Sequence, residues 1–428
     1  MRPLYISILL AATAAAQLPI GTTVVACRFR AGPFTTQLLA IDAAGNVQPF
    51  GRFAADTLPP LAVEIDAIDR QLLVALDLGG SSLIERLVVN GNTITAQLPV
   101  AVLPGPCTQL AANGDSVLAT VGGQSGGLYR LQRRGGAPQL LLAQPEASAV
   151  LTFGGGGDTV IVAWSGAPAA SDPGIGYFDT GSGTFVFGPF PFVGFAPQII
   201  TGFIDLPTAL SRQLLAFTDG TFALHTASLG NPVPFAVNPQ PPAGGAVAFK
   251  SWDFAIDGLG LGGQSFPFLY SVGAFSGSLT TIAGPLPGDP VDFAPAVTDR
   301  AQLLPFGQAC GAPARTISSG ASGLPSIGNL QFRIELANAT ALQPALFVAS
   351  FDDLLGGALP FTLPGGCRLQ VAADAVSFHP TSATGVAVQP LPIPGLPALA
   401  GTIVFAQWLQ VQAGGFVTSP AAALRIGS

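Results

Sequence analysis

A turn glycine set between apolar, strand-like residues returns along the first two thirds of the 428-residue chain at a nearly constant interval. Gly45, Gly91, Gly136, Gly183, Gly230 and Gly277 are separated by 46, 45, 47, 47 and 47 residues. Their contexts, such as Asp42-Ala43-Ala44-Gly45, Asn90-Gly91 and Ser276-Gly277, supply the positive φ that a tight hairpin demands. Each glycine therefore marks a hairpin at one fixed place in a repeating unit. A second marker keeps step, since Arg70-Gln71-Leu72-Leu73 returns as Arg212-Gln213-Leu214-Leu215, 142 residues later and so about three units on.

One unit reads as four strands, at 61–68, 71–78, 82–89 and 93–100, divided by turns. Four short strands in so few residues cannot bury both faces of their sheet alone, and they need neighbours packed on them around a ring. Further units begin near Cys107, Ala147, Gln198 and Ala246. The first unit has only three strands, at 22–29, 35–41 and 47–53, and one strand at 291–298 is left over after the last. Joining that strand to the first three removes the exposed edges of an open array and brings the expected number of blades to six. With this pattern, residues 17–304 resemble the six-bladed β-propeller superfamily with mixed-origin closure. A seven-bladed ring and an open β-solenoid are the alternatives that the same repeat allows.

Composition agrees with an all-β chain. At 49% hydrophobic and 9% charged residues it is far from the low hydrophobicity and high charge of disordered segments. Its 54 glycines and 39 prolines interrupt helices and punctuate short strands. The formal charge of -7 excludes the basic footprint that nucleic acid or an anionic membrane surface requires. Lys250 is the only lysine, and the nearest approach to a basic patch, Arg130, Arg133 and Arg134, surrounds one expected hairpin turn and reads as a solvated tip.

Met1-Arg2-Pro3, an apolar stretch over 4–12 and Thr13-Ala14-Ala15-Ala16 before Gln17 have the parts of a secretory signal. Cleavage after Ala16, residues 1–16 being the signal peptide, implies a secreted or extracellular protein, with the periplasm or cell surface as variants. No later run reaches the roughly 18 apolar residues of a membrane helix, so the mature chain is expected to be soluble, with no transmembrane segment. Val24-Val25-Ala26-Cys27 loosely matches a lipid-attachment motif at Cys27, but Gln17 and Gly21-Thr22-Thr23 break the apolar run such a signal needs, which leaves Cys27 as a plain strand residue.

Beyond Pro305 the glycine markers stop, and strands at 330–336, 345–351, 367–373, 401–411 and 421–426 read as a β-sandwich over 305–428. Gly307-x-x-Cys310-Gly311, Pro325-x-x-Gly328, Leu363-Pro364-Gly365-Gly366-Cys367, Pro394-Gly395-Leu396-Pro397 with Gly401, Phe405-Ala406-Gln407-Trp408 and Ser419 with Ile426-Gly427 resemble a C-terminal module of large exported proteins of planctomycete-type bacteria. The resemblance implies a secreted β-sandwich of no assigned activity, used for attachment or presentation. In an oxidising compartment four cysteines suggest disulfides. Cys310 and Cys367, each beside a motif glycine, form the expected pair, whereas Cys27 and Cys107 fall on non-adjacent blades and their state stays open.

Chemistry is sparse. His225 and His379 are the only histidines and lie in different parts, and no Cys-x-x-Cys or calcium-loop pattern occurs, so no metal or cofactor is expected. Gly154-Gly155-Gly156-Gly157-Asp158 lacks the lysine and helix of a phosphate loop and reads as a hairpin tip. The segments leading into the innermost strands carry just two carboxylates, Glu146 and Asp292, which departs from the several oxygen ligands of lactonase-like propellers. The Phe185 to Phe192 stretch reads as a strand with a blade-to-blade turn, or as an apolar binding lip. The expectation is a noncatalytic exported binding or surface-structural protein whose partner is a protein or polysaccharide. A carbohydrate- or lactone-directed hydrolase or lyase using Glu146 and Asp292 is the alternative.

Overall fold

The computed structural model describes residues 18–427 apart from 29–35, 52–57, 67, 114–115, 124–125, 134, 153–158, 166–171, 193–199, 207–211, 218–220, 227–231, 237–245, 252–257, 263–267, 274–275, 297–299 and 352–360. The signal peptide expected at 1–16, the glycine run at 154–157, the marker Gly230 and Arg134 lie outside the described residues.

The chain opens with β1 (Thr23–Arg28), β2 (Thr36–Ile41) and β3 (Val47–Pro49). Quartets follow: β4 (Pro60–Ile65), β5 (Leu72–Asp77), β6 (Ser82–Asn90) and β7 (Thr93–Leu103); then β8 (Cys107–Asn113), β9 (Ser116–Val121), β10 (Gly127–Gln132) and β11 (Gln139–Ala143). The next are β12 (Ala147–Thr152), β13 (Thr159–Trp164), β14 (Gly174–Asp179) and β15 (Thr184–Pro191); then β16 (Ile200–Leu206), β17 (Arg212–Phe217), β18 (Phe222–Thr226) and β19 (Val233–Phe235). After β20 (Ala246–Ser251), β21 (Gly258–Gly262), β22 (Leu269–Val272) and β23 (Leu279–Ala283), a single strand β24 (Asp289–Ala294) ends the series.

Each quartet is an antiparallel meander in chain order, and the last two are joined through one parallel bridge between Gly202 and Phe249. β24 pairs antiparallel with β1, giving a sheet ordered β24-β1-β2-β3. The first strands stand side by side: β24 packs on β4, β4 on β8, β8 on β12, β12 on β16, β16 on β20, and β20 on β24. Four-stranded meanders set with their inner strands adjacent are the construction of a β-propeller.

Apolar cores fill the gaps between neighbouring sheets. Val24 and Leu38 meet Val63 and Val74 in one gap, while Ala62 and Leu73 meet Leu110 and Val117 in the next. Burial on both sides of these sheets explains why strands near their inner edge read as continuous apolar runs, such as Leu72-Leu73-Val74-Ala75-Leu76 in the second strand β5, without strict alternation.

Gly45, Gly91, Gly136, Gly183 and Gly277 all have positive φ and lie between the third and fourth strands of their sheets. Gly277 carries a second constraint, because a Cβ there would meet the Ala236 carbonyl oxygen beside the preceding sheet's outer strand. The turn thus lies against a neighbouring backbone. At Gly183, by contrast, a Cβ would meet nothing within 4 Å.

From β25 (Gln302–Phe306) onward the architecture changes. β26 (Thr316–Ser318), β27 (Arg333–Ala337), β28 (Pro344–Ser350), β29 (Phe361–Thr362), β30 (Arg368–Leu369), β31 (Ala375–Pro380), β32 (Ala387–Pro390), β33 (Ile403–Gln412) and β34 (Gly415–Arg425) follow. A five-stranded sheet β25-β34-β33-β28-β31 and a three-stranded sheet β26-β27-β32 share one core built around Phe332, Phe347, Trp408 and Leu424. Cys310 and Cys367 form a disulfide spanning 57 residues, a crosslink that contributes about 4 kcal/mol on the chain-entropy model. Ile68, from the turn after β4, packs among Leu304, Phe306, Ile403 and Phe405, so an apolar contact links the two halves of the chain.

Gly183→Ala should cost only the positive-φ penalty, about 1–2 kcal/mol. Gly277→Ala should cost roughly 1–3 kcal/mol more, because the new methyl must displace a backbone carbonyl. Urea unfolding of the two variants beside the parent measures the difference.

Candidate functional site

A shared irregularity aligns the six inner strands. Pairing each with its neighbouring strand skips one residue, and the skipped residues are Leu61, Thr108, Ser148, Thr201, Val247 and Val291. Such bulges kink a strand and re-aim its side chains. None of the six residues is charged. The Thr108 hydroxyl donates to the Ala147 carbonyl oxygen at 2.9 Å, and those of Ser148 and Thr201 donate to the Ala163 and Ala216 carbonyl oxygens at 3.4 and 3.2 Å.

At three of the bulges the following residue reaches the backbone of the next sheet. Asp292 in β24 accepts the Val63 N–H at 2.8 Å, and Gln109 in β8 accepts the Val150 N–H at 2.7 Å. At Gly202 there is no side chain, and the backbones bridge directly to Phe249. These are three ways of joining equivalent seams.

Asp292 is the focus of a buried ion cluster. The Lys250 ammonium, on β20, donates to Asp292 Oδ2 at 3.0 Å and to the Val63 carbonyl oxygen at 2.9 Å, and it lies 3.6 Å from Glu64 Oε2 on β4. It also sits 5.7 Å from the Phe293 ring centroid. One lysine thereby ties together three sheets. Burial raises the Asp292 carboxyl, against the pull of Lys250. Burial also draws the ammonium down, but Asp292 and Glu64 more than offset it and hold Lys250 above its ordinary value. Burial pushes Glu64 up to about 7 despite Lys250.

Glu146 is not part of this group. It is half-buried in the turn before β12, with φ 58°, and its carboxylate accepts a long 3.4 Å bond from the Gly123 N–H. The two carboxylates singled out from the sequence therefore have different settings: a loop-end residue, and an ion-paired seam residue. Sequence reasoning passed over Glu64 and Lys250, although a sole lysine inside Ala246-Val247-Ala248-Phe249-Lys250 was a usable signal, because an ammonium on an inner strand needs a partner.

A second cluster corrects the solvated reading of Arg133. Arg133 is only 5% exposed and its Nε donates to Asp66 Oδ2 at 2.6 Å. Arg86 pairs with Asp69, and Arg133 also lies 3.4 Å from Asp69. Two carboxylates and two guanidiniums thus neutralise one another between the β4–β5 turn and the next sheet. Arg130, half-buried, donates to the Thr180 carbonyl oxygen at 3.0 Å.

The histidines are also engaged. His225 Nδ1 lies 3.0 Å from Gln213 Oε1, with its ring against Phe190 and Phe192. His379 Nε2 lies 3.0 Å from Ser377 Oγ, a spacing suggestive of a nucleophile and its base. The same nitrogen is 2.8 Å from Gln389 Oε1, whose amide is oriented by donation from Nε2 to the Pro390 carbonyl oxygen. Facing that oxygen, His379 Nε2 must carry the hydrogen, so it cannot take the proton of Ser377. Cys27 and Cys107 are free and buried, and burial, then Asp289, pushes the Cys27 thiol up to about 12. Both are thereby poor thiolates. Among the described residues, no group of three or more His, Cys, Asp and Glu side chains is placed to hold a metal ion, and no helix is long and apolar enough to cross a membrane.

No family model and no curated protein matches the chain. Among solved structures, it is similar to the WD40 β-propeller domain of Doa1, with 14% identity and a TM-score of 0.42 over 63% of this chain and 82% of that one. Similarity extends to a mitotic checkpoint complex structure, at 16% identity and a TM-score of 0.40 over 63% of this chain and 79% of the other. It extends also to YCF48 bound to D1 peptide, at 11% and 0.38 over 62% and 82%.

Lys250→Met should destabilise the protein by about 3–5 kcal/mol, because it leaves Asp292 buried without its cation. Arg333→Met, which removes a part-exposed pair with Glu335, should cost at most about 1 kcal/mol. Chemical denaturation of both variants checks the contrast.

Proposed function

We propose that the chain is an exported, noncatalytic binding or surface-structural protein: a six-bladed propeller closed by β24 on β1–β3, followed by a β-sandwich, with β25 marking the passage between them. The observation that carries the noncatalytic reading is the fate of the polar groups on the inner strands. Asp292 is committed to Lys250 and the Val63 N–H, and the hydroxyls at the bulges are bonded to carbonyl oxygens. Catalytic carboxylates need free valence toward a substrate.

A protein or polymer partner is supported by the outer strands. Val186 and Phe187 on β15 are 63% and 47% exposed, and Val102, Leu140 and Val233 on other fourth strands are similarly open. Apolar groups displayed on edge strands favour contact with another surface. The C-terminal half serves attachment or presentation in this reading.

The mature protein should show no stabilisation specific to calcium, oligosaccharides or lactones in a thermal-shift panel. It should retain a protein or polymer from the exported fraction, and Val186→Asp combined with Phe187→Asp should abolish that retention. A calcium-specific shift, or turnover of a glycoside or lactone that Asp292→Asn or Glu146→Gln removes, would overturn the proposal.

A further inference from the structure

The ion cluster at the joint is unbalanced. One ammonium, Lys250, serves two carboxylates from two other sheets, so the fully ionised cluster carries one negative charge in a buried setting. The two acids are not equivalent. Each accepts one backbone N–H, Asp292 from Val63 at 2.8 Å and Glu64 from Ile65 at 2.9 Å, but the ammonium is 3.0 Å from Asp292 and 3.6 Å from Glu64, whose side chain keeps 16% exposure. A buried group of net charge sheds that charge where it can, by protonating its least stabilised member.

We propose that Glu64 is a proton-operated latch on the joint between the sheets carrying β4, β20 and β24. Protonated, it leaves the Lys250 ammonium wholly to Asp292 and the Val63 carbonyl, the two contacts that draw the sheets together. Ionised, it competes for the same ammonium and adds a buried negative charge to the seam. Its 16% exposure gives the proton a route to solvent. The charged and titratable groups on the elements packed against β4 are Asp292 and Asp289 on β24, Cys27 and Arg28 on β1, Asp77 on β5 and Cys107 on β8, with Lys250 of β20 reaching in. Arg28 is directed to the Pro60 carbonyl oxygen, at the far end of β4 from Glu64. Lys250 and Asp292 thus set the local field.

The direction of the effect follows from linkage. Glu64 is held at about 7 in the fold against an ordinary 4.5, so between those values the folded chain binds more protons than the unfolded one. The contribution of Glu64 to stability therefore falls as pH rises through that window, and levels off above it.

The chain has four glutamates, Glu64, Glu85, Glu146 and Glu335, which makes a direct test practical. Side-chain carboxyl labelling of glutamate should give four resonances, one titrating at about 7 and absent from Glu64→Gln. In parallel, the melting temperature of the parent should drop between pH 5 and 7.5, with that drop strongly reduced in Glu64→Gln. If Glu64→Gln does not fold, Glu85→Gln, Glu146→Gln and Glu335→Gln assign the signal by elimination. Four resonances all titrating below about pH 5.5, or a neutral-pH signal and a melting profile that Glu64→Gln leaves unchanged, would overturn the latch.

Discussion

The seam between inner strands is the constraint on which the propeller part depends. A meander of four strands has an apolar surface on each side, and it is stable only where the next meander covers that surface. Shape alone would let neighbouring sheets slide. At three of the seams they are fixed by the residue following the bulge, which reaches the backbone of the next sheet by carboxylate at Asp292, by amide at Gln109, or by direct approach at Gly202. The strongest of these is the Asp292 seam, because the Lys250 ammonium adds a third sheet to it. That this tie falls where β24, late in sequence, meets β4, early in sequence, is physically sensible. Contacts of such sequence separation carry a large loop-closure cost and need strong local bonds to offset it.

Buried ion clusters recur where sheets meet the turns of their neighbours. Asp66 and Asp69, from the turn after β4, neutralise Arg86 and Arg133. Arg70, in the same turn with φ 55°, lies near Arg425 of β34, and burial together with that second cation lowers its guanidinium to about 10. Ile68 enters the apolar cluster of the C-terminal half. One short turn thus braces an inter-sheet seam on one side and the second half of the chain on the other.

Much of this architecture was legible in the residues. The turn glycines revealed the period because hairpins need positive φ wherever they occur, and that need survives any change in the flanking strands. The strands expected at 82–89 and 93–100 appear as β6 and β7, and the lone strand expected at 291–298 appears as β24 paired with β1. Gln71 and Gln213, which head the second repeat marker, have parallel roles at the start of the second strand, Gln71 accepting the Val89 N–H and Gln213 facing His225. Less visible were features set by partners distant in sequence. Arg133 looked like a solvated tip because its carboxylate partner lies 67 residues away. β31 and β32 escaped notice because Ala375-Val376-Ser377-Phe378-His379-Pro380 alternates over only six residues and ends in proline. The bulges were invisible, because each is a relation between two strands and leaves no mark on either alone.

The location of Lys250 has a consequence for how the molecule presents itself. It is the chain's only lysine and is 6% exposed, so the folded surface offers no accessible ε-amine. Every cationic side chain there is a guanidinium, a weakly hydrated group that stacks on aromatic and planar surfaces where an ammonium would stay wet. Amine-directed crosslinkers and acylating agents would find nothing on the side chains to modify until the joint itself had opened, and their reaction with Lys250 would report that opening.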